Sequence, residues 1–170
     1  MQNLEIKCAA DDLDAVRRLA LAAGGRAAGV LRQTDTYFAA PHGLLKLREI
    51  EGSAAELIAY ARPDTTGSRT SDYLLHQTAD PATLQAVLAR SHDTIATVHK
   101  VRELILIERT RIHLDTVQGL GTFVELETAG TDRPESEVLA EHQRVMSALG
   151  LDPAAGLATG YAAMLGAPRD

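Results

Sequence analysis

Lysine and arginine residues recur in pairs separated by a single residue in several short segments of this sequence. Lys46 and Arg48 form one such pair, and Lys100 and Arg102 form another. Alternate residues of a β-strand point to the same face of a sheet, so both members of a pair would share a face. In all, seven basic residues lie at alternating positions of predicted strands, and three of them share a face with Glu5, Tyr60 or His113 instead of a second cation. The seven are Lys7, Lys46, Arg48, Arg62, Lys100, Arg102 and Arg111.

This clustering is informative because the chain as a whole is acidic. It contains 17 Lys and Arg residues against 23 Asp and Glu residues, for a formal net charge of -6. Like charges that face each other across a sheet repel, and an anion held between them offsets that repulsion. A triphosphate carries several negative charges and suits converging lysines and arginines. The overall acidity argues against general nucleic-acid binding, which favours a basic surface.

Carboxylates share the predicted faces with these cations. They are Glu5, Asp115, Glu125 and Glu127. Hard divalent cations prefer oxygen ligands, and Mg²⁺ commonly bridges carboxylates and phosphates. A solvated sheet face explains such alternation in any single strand, but the combined pattern favours an interior that binds an anion. The predicted chemistry is phosphoryl or nucleotidyl transfer, in which positioning and charge neutralisation do most of the catalysis.

The elements that would position these residues are eight strands and three or four helices in a single domain over residues 1–170. The predicted strands cover residues 3–8, 30–38, 44–50, 55–62, 71–78, 94–107, 110–117 and 120–128. Helices are predicted after Asp12, after Asp80 and after Pro134. Short connections favour antiparallel pairing, and about eight strands can close into a barrel. The predicted fold is therefore α+β, an eight-stranded antiparallel closed β-barrel, or tunnel, with helices packed outside.

Location follows from features that the sequence lacks. No apolar run approaches the roughly 18 residues of a membrane span, and no basic segment precedes an apolar stretch at the N-terminus. Cys8 is the single cysteine, so no internal disulfide is expected. These observations predict a cytoplasmic protein without a membrane partner.

Several motifs in a fixed order resemble one known family. They are residues 3–7 (Asn-Leu-Glu-Ile-Lys), 34–38 (Thr-Asp-Thr-Tyr-Phe), 45–49 (Leu-Lys-Leu-Arg-Glu), 60–64 (Tyr-Ala-Arg-Pro-Asp), 71–73 (Ser-Asp-Tyr), 98–102 (Val-His-Lys-Val-Arg), 111–115 (Arg-Ile-His-Leu-Asp), 119–121 (Gly-Leu-Gly) and 123–127 (Phe-Val-Glu-Leu-Glu). In this order the motifs resemble the CYTH superfamily, also called triphosphate tunnel metalloenzymes, and most closely its class IV adenylate cyclase-like branch. The resemblance implies a tunnel with the charged side chains inside and a possible homodimer.

The resemblance also implies an activity and a set of site residues. Members hydrolyse inorganic or organic triphosphates, or cyclise ATP to cyclic AMP, with Mg²⁺ or Mn²⁺. By matching position, the seven basic residues given above would bind phosphate. The metal ligands would be Glu5, Glu125 and Glu127, and the residues expected to act in catalysis are Asp115, Glu5 and Lys7.

Three activities remain open at this point. ATP cyclisation is favoured, and a triphosphatase acting on tripolyphosphate, thiamine triphosphate or a nucleotide is the alternative. A binding module without turnover is the third, because Asn3 replaces the first acid of the family signature. His113 is predicted to have a structural role beside Asp115, and Asp35 is predicted to cap or position a strand. Neither is predicted to bind a metal ion or phosphate.

Overall fold

The computed structural model describes residues 2–61 and 66–167. Eight strands form the body of the fold: β1 (Gln2–Ala9), β2 (Arg26–Phe38), β3 (Leu44–Ile50), β4 (Ala55–Ala61), β5 (Arg69–Thr78), β6 (Thr94–Ile107), β7 (Thr110–Val117) and β8 (Gly121–Ala129). Four α-helices accompany them: α1 (Leu13–Ala22), α2 (Pro81–Leu88), α3 (Glu135–Ala148) and α4 (Tyr161–Met164).

The strands close into one antiparallel barrel in the order β1-β5-β4-β3-β2-β6-β7-β8. The predicted fold class is confirmed. Tight connections make this pairing possible: Glu108 adopts a left-handed conformation with φ 49° in the two-residue turn between β6 and β7. Such a turn matches the twist of the strands that it joins.

The outward faces of β1, β6, β7 and β8 form the main hydrophobic core under α1 and α3. Its buried residues are Ile6, Cys8, Val16, Ala20, Ile105, Ile107, Ile112, Leu114, Val124, Leu126, Val145, Met146 and Leu149. Full burial of an aliphatic side chain contributes about 1.5–3 kcal/mol. Because strand residues alternate, covering the outward apolar positions directs the charged positions into the barrel.

Side-chain caps fix where the first two helices begin. Asp12 Oδ1 accepts from the Ala15 amide at 2.8 Å, and Asp80 Oδ1 accepts from the Thr83 amide at 3.1 Å. Both helices were predicted to begin after these aspartates. Among the described residues, no helix combines the length and apolarity that crossing a membrane requires.

Two strands begin at least two residues earlier than predicted. β2 starts at Arg26, not at residue 30, because pairing with the long β6 extends it past a bulge at Gly29, where φ is 118°. β5 starts at Arg69, not at residue 71, because Arg69 pairs with Glu5 of β1. Neither extension carries the apolar alternation from which a strand is predicted.

Candidate active site

The barrel encloses a cavity of about 330 Å³ that is lined by inward residues of all eight strands. Its charged lining comprises Glu5, Lys7, Lys46, Arg48, Glu56, Lys100, Arg102, Arg111, Glu125 and Glu127. Six of the seven predicted phosphate-binding residues are therefore brought together here. The seventh, Arg62, lies outside the described residues. The three predicted metal ligands also line the cavity, whereas Asp115 is wholly buried beside it.

Asp35 is the anion around which three cations gather. Arg48 donates to its two carboxylate oxygens from Nε at 2.8 Å and from Nη2 at 2.9 Å. Lys46 Nζ and Lys100 Nζ lie 3.2 and 3.1 Å from Oδ2. Burial alone would raise the pKa of Asp35, but Arg48, Lys100 and Lys46 hold it well below its usual range. Asp35 thus stays ionised and orients the three cations.

Arg102 is held by two carboxylates. It donates to both oxygens of Asp115 at 2.6 Å and to Glu125 Oε2 at 2.7 Å. Burial would raise the pKa of Asp115, but Arg102 lowers it to about 2. This makes Asp115 a weak base and a firm anchor for the guanidinium group.

Tyr161 of α4 fills one end of the tunnel. Its hydroxyl donates to Asp115 Oδ2 at 2.8 Å, and its ring centroid lies 3.7 Å from Lys7 Nζ and 5.0 Å from the ring of Phe123. The preceding segment is fastened to β1, since the Leu157 amide donates to the Lys7 carbonyl at 2.8 Å. Burial raises the pKa of Tyr161 above its usual range, so the phenol keeps its proton.

Arg69 links the N-terminal strand to the C-terminal segment. Its Nε lies 3.1 Å from Glu5 Oε1, and its Nη1 donates to the carbonyls of Leu157 and Ala158 at 2.8 and 3.0 Å. Sequence reasoning did not identify this arginine, because it precedes the predicted start of β5. Its alternation with Ser71 and Tyr73, which line the cavity, was the available signal.

Asn3 lies near the start of β1, at the end of the barrel opposite Tyr161, and also lines the cavity. With its amide oriented to satisfy both groups, the oxygen accepts from Arg111 Nη2 at 2.9 Å and the nitrogen donates to the Gln2 carbonyl at 3.0 Å. The neutral residue thus supports Arg111, which also donates to Glu127 Oε2 at 2.6 Å.

A group of three ligand-type side chains could hold a metal ion. Ligand atoms of His113, Glu125 and Glu127 lie within 4.8 Å of one another. His113 Nδ1 lies 3.6 Å from Glu125 Oε2 and 3.8 Å from Glu127 Oε1, and in the described part of the chain this buried nitrogen has no hydrogen-bond partner. The two carboxylates suit Mg²⁺ or Mn²⁺, and the imidazole nitrogen favours the transition metal of the two. A cation bound between the two carboxylates would give His113 Nδ1 the partner that it lacks among the described residues.

The charges of this group are those that metal binding requires. Burial opposes ionisation of Glu127, but His113 and Arg111 are among the groups that lower its pKa to about 2. Lys7 similarly helps to hold the pKa of Glu125 well below its usual range. Burial is the main cause that lowers the pKa of His113, and the positive charge of Arg102 lowers it further. The His113 ring is therefore neutral at neutral pH. Glu5 pairs with Glu127 across β1 and β8, but its carboxylate contacts Arg69.

Comparison with solved structures confirms the fold. The PH1012 protein from Pyrococcus horikoshii OT3 is 20% identical with a TM-score of 0.85, covering 95% of this chain and 98% of that one. A protein from Vibrio parahaemolyticus described as a candidate adenylate cyclase is 17% identical with a TM-score of 0.77, covering 97% and 98%. The Hippeastrum protein HpAC1, described as having a dominant triphosphatase activity, is 17% identical with a TM-score of 0.60, covering 93% and 91%.

A comparison with curated proteins finds no match. The family model of the CYTH domain matches residues 1–161, which is nearly the whole chain. The match covers every strand of the barrel and reaches Tyr161 at its closed end. The chain therefore belongs to the CYTH domain family.

Proposed function

We propose that this protein is a metal-dependent enzyme that binds a triphosphate inside the barrel and cyclises ATP to cyclic AMP and pyrophosphate. The observation that carries the proposal is the enclosed cavity in which six basic side chains face a group of His113, Glu125 and Glu127. The six cations are matched in number by Asp35, Asp115 and the four glutamates of the cavity. Their ammonium and guanidinium groups can still donate to phosphate oxygens, and the metal ion would balance the added negative charge of a triphosphate.

The cations of the cavity form two clusters, and each would bind a different part of the phosphate chain. Lys46, Arg48 and Lys100 form one cluster around Asp35, and Lys7 and Arg102 lie near Glu125. A phosphate chain between the two clusters would receive hydrogen bonds from both. Because the donors are already oriented by carboxylates, little reorganisation is needed when charge develops on the reacting phosphate.

His113, Glu125 and Glu127 would hold the metal ion, with Glu5 as a further predicted ligand. When bound, Mg²⁺ or Mn²⁺ supplies positive charge next to the phosphate oxygens. In the proposed reaction the ribose 3′-oxygen bonds to the α-phosphorus and the bond from that phosphorus to pyrophosphate breaks. The 3′-hydroxyl proton passes to a carboxylate of the cavity. Of the two predicted acceptors, Glu5 lines the cavity and Asp115 is occupied by Arg102 and Tyr161.

Triphosphate hydrolysis is the second candidate. The similarity to the Hippeastrum protein, described with a dominant triphosphatase activity, favours it. In this reaction a water molecule attacks the terminal phosphorus, and the same cations and carboxylates serve. Binding without turnover is the third candidate, supported by Asn3, which cannot contribute a charge to a metal site.

Product analysis tests these candidates. The protein is incubated with ATP, tripolyphosphate or thiamine triphosphate and Mg²⁺ or Mn²⁺. Cyclic AMP with pyrophosphate supports the proposal, free phosphate supports hydrolysis, and tight binding with no product supports the binding module. Failure of all three ligands to bind would rule out the triphosphate site.

A pair of variants tests the metal assignment. Glu125→Gln and Glu127→Gln should each abolish metal-dependent turnover and weaken Mn²⁺ binding in titration calorimetry. Glu49→Gln is the matched control, since Glu49 lies between Arg48 and Ile50 and points to the opposite face of β3. Full activity in both cavity variants would exclude these glutamates as metal ligands.

A further inference from the structure

Gln33 is an uncharged polar residue among the basic side chains that line the cavity. It lies on β2, one inward position before Asp35, and its side chain lines the cavity. The residue is only 5% exposed, and in the described part of the chain no group donates a hydrogen bond to its buried Oε1 atom. A buried acceptor left unsatisfied destabilises a protein, so such an atom points to a ligand or a water molecule that donates to it.

The cations next to Gln33 already donate to a carboxylate. Lys100 is the residue directly opposite Gln33 in the β2–β6 pairing, and its Nζ lies 3.1 Å from Asp35 Oδ2. Arg48 donates to Asp35 from two nitrogens. Residues directly opposite each other on one face of a sheet have Cβ atoms about 4.5–5.5 Å apart. A donor bound to Gln33 would therefore lie beside Lys100, which is one of the cations proposed to bind phosphate.

The chemistry of an amide oxygen limits what this donor can be. An amide oxygen only accepts hydrogen bonds, and the oxygens of an ionised phosphate also only accept, so the two do not bond to each other. Asn3 is also an amide of the cavity, but its oxygen accepts from Arg111. Among the reactants of triphosphate chemistry, the groups that can donate to Gln33 Oε1 are a water molecule and a hydroxyl group.

A count of hydrogens distinguishes water from the ribose hydroxyl. In cyclisation the 3′-hydroxyl has a single hydrogen, which must pass to a carboxylate as the 3′-oxygen bonds to phosphorus. A water molecule has two hydrogens, so it can donate one to Gln33 while the other passes to a carboxylate. The acceptor on Gln33 therefore suits an attacking water molecule better than it suits the 3′-hydroxyl.

We propose that Gln33 positions the water molecule that attacks a triphosphate, and thereby sets how far hydrolysis competes with ATP cyclisation. This inference rests on the proposed function, because it needs a triphosphate bound to the cations of the cavity. The water oxygen bonds to the terminal phosphorus, and the bond from that phosphorus to its bridging oxygen breaks, so that the rest of the phosphate chain leaves. One hydrogen passes to a carboxylate of the cavity, and the hydrogen held by Gln33 stays on the phosphate product. Gln33 gains and loses no proton, so its contribution is orientation.

Steady-state release of phosphate from tripolyphosphate with Mn²⁺ tests the proposal. Gln33→Met keeps the length of the side chain but removes the acceptor, so kcat should fall about 100-fold while KM stays the same. Gln33→Glu keeps an acceptor oxygen, so it should retain a kcat about tenfold or more above that of Gln33→Met, with a higher KM because its charge repels phosphate. The matched control is Gln118→Met, which changes an exposed glutamine after β7 and should alter neither constant.

Product analysis with ATP gives a second measurement. Gln33→Met should lower the ratio of released phosphate to cyclic AMP by about 100-fold relative to the wild type. Melting temperatures establish that the variants are folded. If Gln33→Met does not fold, Gln33→Asn takes its place, because it keeps the amide but withdraws the oxygen by one methylene group.

The outcomes separate this inference from the function on which it rests. If Gln33→Met weakens tripolyphosphate binding in calorimetry without lowering kcat, Gln33 donates to phosphate through its nitrogen and positions no water. The inference is also wrong if Gln33→Met and Gln118→Met have the same kcat, or if the wild type binds triphosphates and hydrolyses none of them. In each of these cases the triphosphate site stands. If no triphosphate binds, the proposed function fails and the inference fails with it.

Discussion

Lys100 Nζ lies 3.1 Å from Asp35 Oδ2 inside the barrel, and both side chains are buried. Burial and the charge of Arg102 lower the pKa of Lys100 to about 7, although Asp35 opposes the shift. An incoming triphosphate would raise this pKa again. We therefore expect up to about one proton to be taken up on binding at pH 8. Titration calorimetry in buffers of different ionisation enthalpy measures it, and Lys100→Met should abolish it.

The same residue should make stability depend on pH. An unfolded lysine keeps its proton up to about pH 10.4, whereas native Lys100 loses its proton near pH 7. The unfolded state therefore binds more protons between these values, and the free energy of unfolding should rise with pH across that window. Urea titrations from pH 7 to about pH 10 would show this rise. A wild-type slope equal to that of Lys100→Met would contradict the lowered pKa.

Replacing Asp35 should destabilise the barrel strongly. Asp35→Asn leaves Lys46, Arg48 and Lys100 facing one another without their shared anion. Breaking a buried ion pair in this way costs about 3–5 kcal/mol, and added tripolyphosphate should restore part of the loss. Asp72→Asn is the control, since Asp72 is exposed on β5 and its replacement should cost under about 0.5 kcal/mol. Equal midpoints for the two variants in urea would count against the role of Asp35.

Two substitutions of Tyr161 separate the contribution of its hydrogen bond to stability from that of its ring. Tyr161→Phe removes the hydrogen bond to Asp115 but keeps the ring beside Lys7, so the free energy of unfolding should fall by about 1–3 kcal/mol. Tyr161→Ala also removes the ring and should cost about 3–5 kcal/mol. Thermal unfolding of both variants gives the comparison. If the two losses were the same, the ring would contribute nothing to packing.

The barrel could be predicted from the sequence because its signal is local. Alternation along strands such as β3 and β6 reports which residues point inward, and closure follows from the number of hairpins. The inward placement of Lys46, Arg48, Lys100 and Arg102 required nothing more.

The partners of those cations could not be predicted in the same way. Asp35 sits between Thr34 and Thr36, so polar residues occupy both faces of β2 at this point and the parity is ambiguous. Arg69 precedes the apolar part of β5. Tyr161 reaches the cavity only because the C-terminal segment docks on β1, which is a tertiary contact without a local signal.

The grouping of His113 with Glu125 and Glu127 also depends on tertiary distance. Alternation places His113 on the inward face of β7, where a structural role was predicted. Only the approach of its Nδ1 to carboxylates of β8 distinguishes a ligand from a packed histidine. The predicted ligand Glu5 shares its face with these residues and remains a prediction.

The filled end of the tunnel bears on how substrate and products pass through the barrel. Tyr161 packs there with Phe123 and neighbouring apolar residues. Substrate and products would therefore enter and leave the barrel through the opposite opening. In the proposed reaction, fresh ATP could not enter until both products had left through that same opening, so added pyrophosphate should act as a competitive inhibitor.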